Sequence, residues 1–176
     1  MKTFSYHSPK DVKEASQLAS SSSMFLAGGM TSIPSMKLGM ATYKDVIDLK
    51  KIKKLSGIKV SSKTVTIGAT TKHAEVAASK DVQKAIPALA KLAGNIGDAQ
   101  VRNRGTIGGS ISNNDPSACY PSACMALNAV IHTNERKIEA NKFFKGMFET
   151  ALKKGEIVEA VEFQIPEKAD YQKHPN

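Results

Sequence analysis

Two short stretches carry residue types that suit an anion. Leu26-Ala27-Gly28-Gly29-Met30-Thr31-Ser32 and Thr106-Ile107-Gly108-Gly109-Ser110 share one pattern, in which an apolar run leads into two glycines and a hydroxyl. Glycine has no Cβ and visits positive φ freely, so consecutive glycines let backbone N–H groups converge on one point, with Thr or Ser hydroxyls as further donors. A pyrophosphate suits such a loop. One diglycine turn is a common structural device, but two of them after apolar runs point to a phosphorylated ligand gripped from two sides. Neither G-x-G-x-x-G nor G-x-x-x-x-G-K-[ST] occurs in the chain, which argues against a Rossmann dinucleotide site and a Walker A loop.

The other reactive residues read as structural. Cys119 and Cys124 stand without a third cysteine or a histidine pattern, and His7, His73, His132 and His174 are scattered, so no metal-ligand spacing is present. Arg102 and Arg104 fall inside a Gly-rich segment, Gly94 to Gly109. The guanidinium fork fits several acceptors at once, which suits fastening that segment, with Asp98 as one acceptor; a place near a ligand or a partner is the alternative.

Several elements must position these loops. Ser8-Pro9 caps a helix with Val12, Ala15, Leu18 and Ala19 on one face. Met24 to Ala27 and Val46 to Leu49 are short buried strands, and Lys50 to Gly57 forms a turn or boundary. Ile58 to Val60 and Val65 to Ile67 flank Ser61-Ser62-Lys63 as a hairpin. Helices follow from Thr71 to Ala78 and from Pro87 to Ala93, then Gly94 to Gly109 is read as one long loop. A helix from about Pro121 to Ala129, the strand pair Val130 to Thr133 and Lys137 to Ala140, and a last strand through Ile157, Val161, Phe163 and Ile165 complete the chain. Hairpins interspersed with helices indicate an α+β fold.

Composition narrows the function classes. The 176 residues are 41% hydrophobic and 23% charged, which is ordinary globular composition and excludes disorder or a disulfide-stapled miniprotein. The formal charge is +9, yet only three of the 25 basic residues are arginine and the lysines are dispersed, which favours a solvated face over nucleic-acid binding. No apolar run approaches the roughly 18 residues of a membrane span. The amino terminus lacks an apolar signal segment, and two cysteines make no disulfide framework, so the cytoplasm is the expected compartment.

The two loops also carry a resemblance. Ala27-Gly28-Gly29-Met30-Thr31-Ser32-Ile33-Pro34 with Met36-Lys37-Leu38, and Ile96-Gly97-Asp98-Ala99-Gln100-Val101-Arg102-Asn103-Arg104-Gly105-Thr106-Ile107-Gly108-Gly109-Ser110, resemble the signatures of the FAD-binding (medium) subunits of molybdenum hydroxylases, carbon monoxide dehydrogenase and xanthine dehydrogenase type. Cys119 departs from that family's usual aspartate, Gly39 from a frequent arginine, and Asp115-Pro116 is kept.

The resemblance implies a two-lobed FAD-binding domain of the vanillyl-alcohol-oxidase (PCMH) type, with residues 1–55 as the first lobe and 56–176 as the second. FAD would contact Ala27, Gly28, Gly29, Met30, Thr31, Thr106, Ile107, Gly108, Gly109, Ser110, Asp115 and Val158, and no residue of the chain would be catalytic. The expected function is electron transfer within an oxidoreductase complex, from the [2Fe-2S] clusters of a small subunit, supplied by a molybdopterin large subunit, through FAD to an external acceptor. Family members continue past the segment matching Pro166, which implies that their C-terminal domain is absent here; the alternative function is a flavin-free fragment acting as an association module.

Overall fold

The computed structural model describes residues 1–173. Strand and helix alternate at the amino terminus as β1 (Ser5–His7), α1 (Val12–Gln17), β2 (Ser23–Leu26), α2 (Ser32–Lys37) and β3 (Asp45–Asp48). The strands form a parallel sheet in the order β1-β3-β2, where Val46 faces Tyr6 on one side and Met24 on the other. Helix α1 begins later than Ser8-Pro9 suggests. Asp11 is the extended residue, and its carboxylate accepts from the Glu14 N–H at 2.8 Å, the geometry that satisfies a free donor of the first turn. Two short 3₁₀ turns, Leu49–Lys51 and Lys53–Leu55, occupy the expected boundary.

Beyond it the chain runs β4 (Ile58–Val60), β5 (Thr64–Gly68), α3 (His73–Ala78), α4 (Lys80–Ala85), α5 (Pro87–Gly94), α6 (Ala99–Arg102), α7 (Ile107–Asn113), α8 (Cys119–Ala126), β6 (Val130–Thr133), β7 (Lys137–Glu139), α9 (Ala140–Phe143), β8 (Phe144–Gly146), β9 (Glu149–Thr150) and β10 (Val158–Gln164). The two hairpins read from the sequence are present, and β10 slots between them to give an antiparallel sheet in the order β4-β5-β10-β6-β7. Val65 and Ile67 on β5, Ile131 on β6, and Val161 and Phe163 on β10 are fully buried at alternate positions, so one sheet face is apolar. They join Val76, Leu89, Ile107, Ile111 and Tyr120 from the helices in one core. A second core gathers Val12, Ala15, Ile47, Leu49, Ile52 and Leu55 with one distant residue, Ile157. The architecture mixes helices and sheets, as an α+β class requires.

The Gly94 to Gly109 segment is not one loop. Asp98 caps α6 by accepting from the Val101 N–H at 2.8 Å, and Thr106 caps α7 by accepting from the Gly109 N–H at 3.2 Å. Two glycines in one turn disfavour helix by about 1 kcal/mol each. The cap and the complete burial of Ile107 and Ile111, four residues apart on one face, offset that cost. No helix among the described residues is long and apolar enough to cross a membrane.

Candidate functional site

The first diglycine loop links β2 to α2. Gly29 has φ +74°, which a Cβ would oppose, and both Gly28 and Gly29 are buried. Among the described residues no acceptor takes the backbone N–H of Gly28, Gly29, Met30 or Thr31. Of these four consecutive donors, those of exposed Met30 and Thr31 meet solvent, while those of buried Gly28 and Gly29 are costly unless a ligand or solvent in the cleft satisfies them. They form a concave cradle suited to phosphate oxygens.

The second diglycine stretch is built differently, which corrects the expectation that it is a loop like the first. Gly108 and Gly109 lie in the first turn of α7. The N–H of Ile107 donates to Thr71 O at 3.2 Å, that of Gly108 to Ala69 O at 2.8 Å, and that of Gly109 to the Thr106 hydroxyl. Here glycine permits close packing. A Cβ on Gly108 would lie 2.5 Å from the Ala69 Cβ, and one on Gly105 would lie 2.6 Å from His73 Nε2. The two stretches also touch each other, since a Cβ on Gly28 would lie 2.2 Å from Arg104 O. Arg102 secures the turn before them through the carbonyls of Ile96 (3.1 Å) and Gly97 (3.0 Å), while Asp98 serves as a cap instead of an ion-pair partner.

Between the stretches lies a cleft of about 430 Å³. Ala27, Gly28, Gly29, Met30, Thr31, Thr106, Gly108, Gly109, Ser110, Asp115 and Val158 all line it. Ile107 does not, because its side chain belongs to the core. Cys119 is also outside, its Sγ 3.4 Å from the Tyr171 hydroxyl. The Asp115 carboxylate accepts from the Ser117 N–H and hydroxyl, which hold its pKa below the usual range. No lysine or arginine lines the cleft among the described residues, so phosphate charge would be met by neutral backbone dipoles.

His73 and Thr70 also line the cleft, at positions that sequence reasoning did not single out for it; no local motif marks them. His73 is 4% exposed, its Nδ1 has no partner among the described residues, and its ring centroid is 5.3 Å from that of buried Tyr120. Burial pushes the imidazole down to about 4, so it is neutral. Burial likewise raises the Cys124 thiol to about 12, which suits a packing role. His132 lies 3.6 Å from Glu162, His7 is 2.8 Å from Asp45, and His174 lies outside the described residues.

The cleft is also lined by Leu152 and by Glu156, Ile157 and Val158, where the chain enters β10. Burial raises the Glu156 carboxyl, but hydrogen bonds from Arg136, the Lys153 N–H and Thr133 outweigh it and hold the group at about 2.

The family model of the FAD binding domain in molybdopterin dehydrogenase matches residues 2–167. This chain belongs to that family. It is 39% identical over 170 residues to the carbon monoxide dehydrogenase medium chain of Hydrogenophaga pseudoflava, a match covering 93% of this chain and 58% of that one. The glyceraldehyde dehydrogenase medium chain of Sulfolobus acidocaldarius is 36% identical, with 92% and 60% covered. A solved structure of quinoline 2-oxidoreductase from Pseudomonas putida superposes with a TM-score of 0.91 at 30% identity, covering 95% of this chain and 61% of that one. The chain thus spans about three-fifths of the length of these relatives. FAD is the cofactor of this FAD-binding domain, and the free donors at Gly28 to Thr31 beside an apolar wall fit its pyrophosphate and its ring system.

Proposed function

We propose that the chain is the FAD-carrying part of a molybdenum hydroxylase of the carbon monoxide dehydrogenase type, folded as a two-lobed domain of the vanillyl-alcohol-oxidase type. Residues 1–55 and 56–176 are the two lobes, and the cleft between the Gly28–Thr31 and Thr106–Ser110 stretches holds the cofactor. The observation that carries this reading is the row of free backbone donors at Gly28 to Thr31 opening into that cleft. Bound FAD would supply the electron-carrying chemistry between the [2Fe-2S] clusters of a small subunit, fed by a molybdopterin large subunit, and an external acceptor in the cytoplasm.

The chain's own residues bind and orient. Gly28 to Thr31 donate N–H groups to the pyrophosphate, and the Thr31 and Ser110 hydroxyls add donors. Thr106 shapes the first turn of α7, Asp115 stays ionised as an acceptor for the nucleotide half, and Ile157 and Val158 exclude water from the ring. Ile107 contributes through the core beneath the site. The test is titration of the 176-residue chain with FAD, followed by flavin fluorescence. Saturable binding with competition by ADP, which shares the pyrophosphate, and none by riboflavin, which lacks it, is the expected result. A chain that takes up no FAD, or that riboflavin strips while ADP does not, overturns the reading.

A further inference from the structure

We infer that Arg136 and Glu156 are a positioning pair that holds the apolar wall of the cleft against the flavin ring, an assignment resting on the FAD reading above. The Glu156 side chain is completely buried. Its Oε1 accepts from the Thr133 hydroxyl at 2.8 Å and Arg136 Nε at 2.9 Å, and its Oε2 from Arg136 Nη2 at 3.0 Å and the Lys153 N–H at 2.9 Å. With four donors the carboxylate has no acceptor site left for a ligand and no proton to exchange, so it acts through what it holds.

Arg136 Nη2 also donates to Ala151 O at 2.7 Å. One guanidinium therefore ties the β6–β7 turn to the strand-free segment 151–157 at two points, using the bidentate geometry that lysine cannot reproduce. The next residue is fixed in the same way. Asn134 Oδ1 accepts from the Ile157 N–H at 2.7 Å, and the Asn134 N–H donates to Ile157 O at 3.1 Å. Gly155 O accepts from the Ser16 hydroxyl at 2.7 Å. Residues 155–157 are thus anchored one by one to side chains and backbone of other elements before β10 begins. Chemically this wall differs from the diglycine cradle: Leu152, Ile157 and Val158 are apolar, while the free donors lie at Gly28 to Thr31. An aromatic ring suits the first surface and a pyrophosphate the second, so the pair should govern the ring half of the ligand and leave the nucleotide half alone.

ADP and FAD separate these halves. In the 176-residue chain, Arg136→Gln combined with Glu156→Gln removes both charges together, so no buried ion is left unpaired, and the amide at 156 still accepts from Thr133. Melting temperature and the affinities for FAD and ADP are measured beside wild type. FAD affinity should fall about tenfold while ADP affinity stays within about twofold, the signature of a misplaced ring wall. Arg136→Lys, which keeps the charge without the fork, should show the same split to a smaller degree, and it carries the measurement if the double variant does not fold. Parallel loss of FAD and ADP binding, or unchanged binding of both in a folded variant, overturns the assignment. A wild-type chain that binds neither ligand overturns the FAD reading itself and the assignment with it.

Discussion

Gly28→Ala tests the contact on which the site geometry rests. The added Cβ would lie 2.2 Å from Arg104 O and 2.8 Å from Gly105 Cα, where ordinary contact begins at 3.4 Å, so the two stretches must separate by more than an ångström. Overpacking of this kind costs typically about 1–3 kcal/mol. The upper end applies because the obstacle is main chain, held by the Gly105 N–H to Val101 O bond at 2.7 Å and the His73 N–H to Gly105 O bond at 3.0 Å. Alanine restricts the unfolded chain and returns about 0.4–1 kcal/mol, leaving a net loss of about 2 kcal/mol. At roughly 2–4 °C per kcal/mol for a domain of this size, the melting temperature should drop about 4–8 °C. FAD affinity should fall by about tenfold or more, since a displacement near an ångström misaligns the donor cradle. Gly39→Ala is the control: its φ is +74°, which strains an alanine, but nothing lies within 4 Å of an added Cβ, so it should lose some stability and keep its FAD affinity. Thermal melts by circular dichroism and fluorescence titration read both effects. A Gly28→Ala chain that melts and binds as wild type would show that the stretches do not meet through Gly28.

His73 makes stability fall with acid. Its folded pKa of about 4 lies below the ordinary 6.5, so the unfolded chain takes up the proton first. The stabilising contribution is complete above pH 6.5 and is lost as pH falls toward 4, on the order of 2–4 kcal/mol in all. Denaturant melts between those values should show that slope in wild type and a shallower one in His73→Phe; identical slopes would refute the burial account. Thr106→Ala should cost about 1 kcal/mol by uncapping α7, and Thr106→Ser should restore it. Equal melting temperatures for all three chains would mean that the 3.2 Å cap bond contributes nothing.

Much of the scaffold was legible because period-two alternation marks the large sheet. Val65 and Ile67, Ile131, and Val161 and Phe163 announce their strands locally, and Pro87 announces α5. The two glycine stretches that face each other across the cleft were legible in the sequence, while His73, Thr70 and much of the rest of the lining were not. What escaped was decided at a distance. Gly108 and Gly109 read as a loop by propensity, yet Thr106 and the buried pair Ile107 and Ile111 make them helical. Strand β1, only three residues long, has a weak pattern of its own and exists by pairing with β3. Ser8 looked like a cap, but Asp11 was in position to accept from Glu14. His73 and Arg136 carry no motif, since the groups they meet, Tyr120 and Glu156, lie 47 and 20 residues away in sequence.

The small core around the parallel sheet is closed by Ile157, while the very next residue, Val158, belongs to the larger core. On the ribosome, the first strands therefore emerge about a hundred residues ahead of the side chain that completes their packing. At roughly 5–20 residues per second that interval lasts about 5–20 s, during which an unfinished apolar surface depends on neighbours or chaperones for cover. The larger core then still needs Val158, Val161 and Phe163 of the strand that follows. A pause in translation just before Ile157 should lengthen that vulnerable window more than a pause anywhere after it.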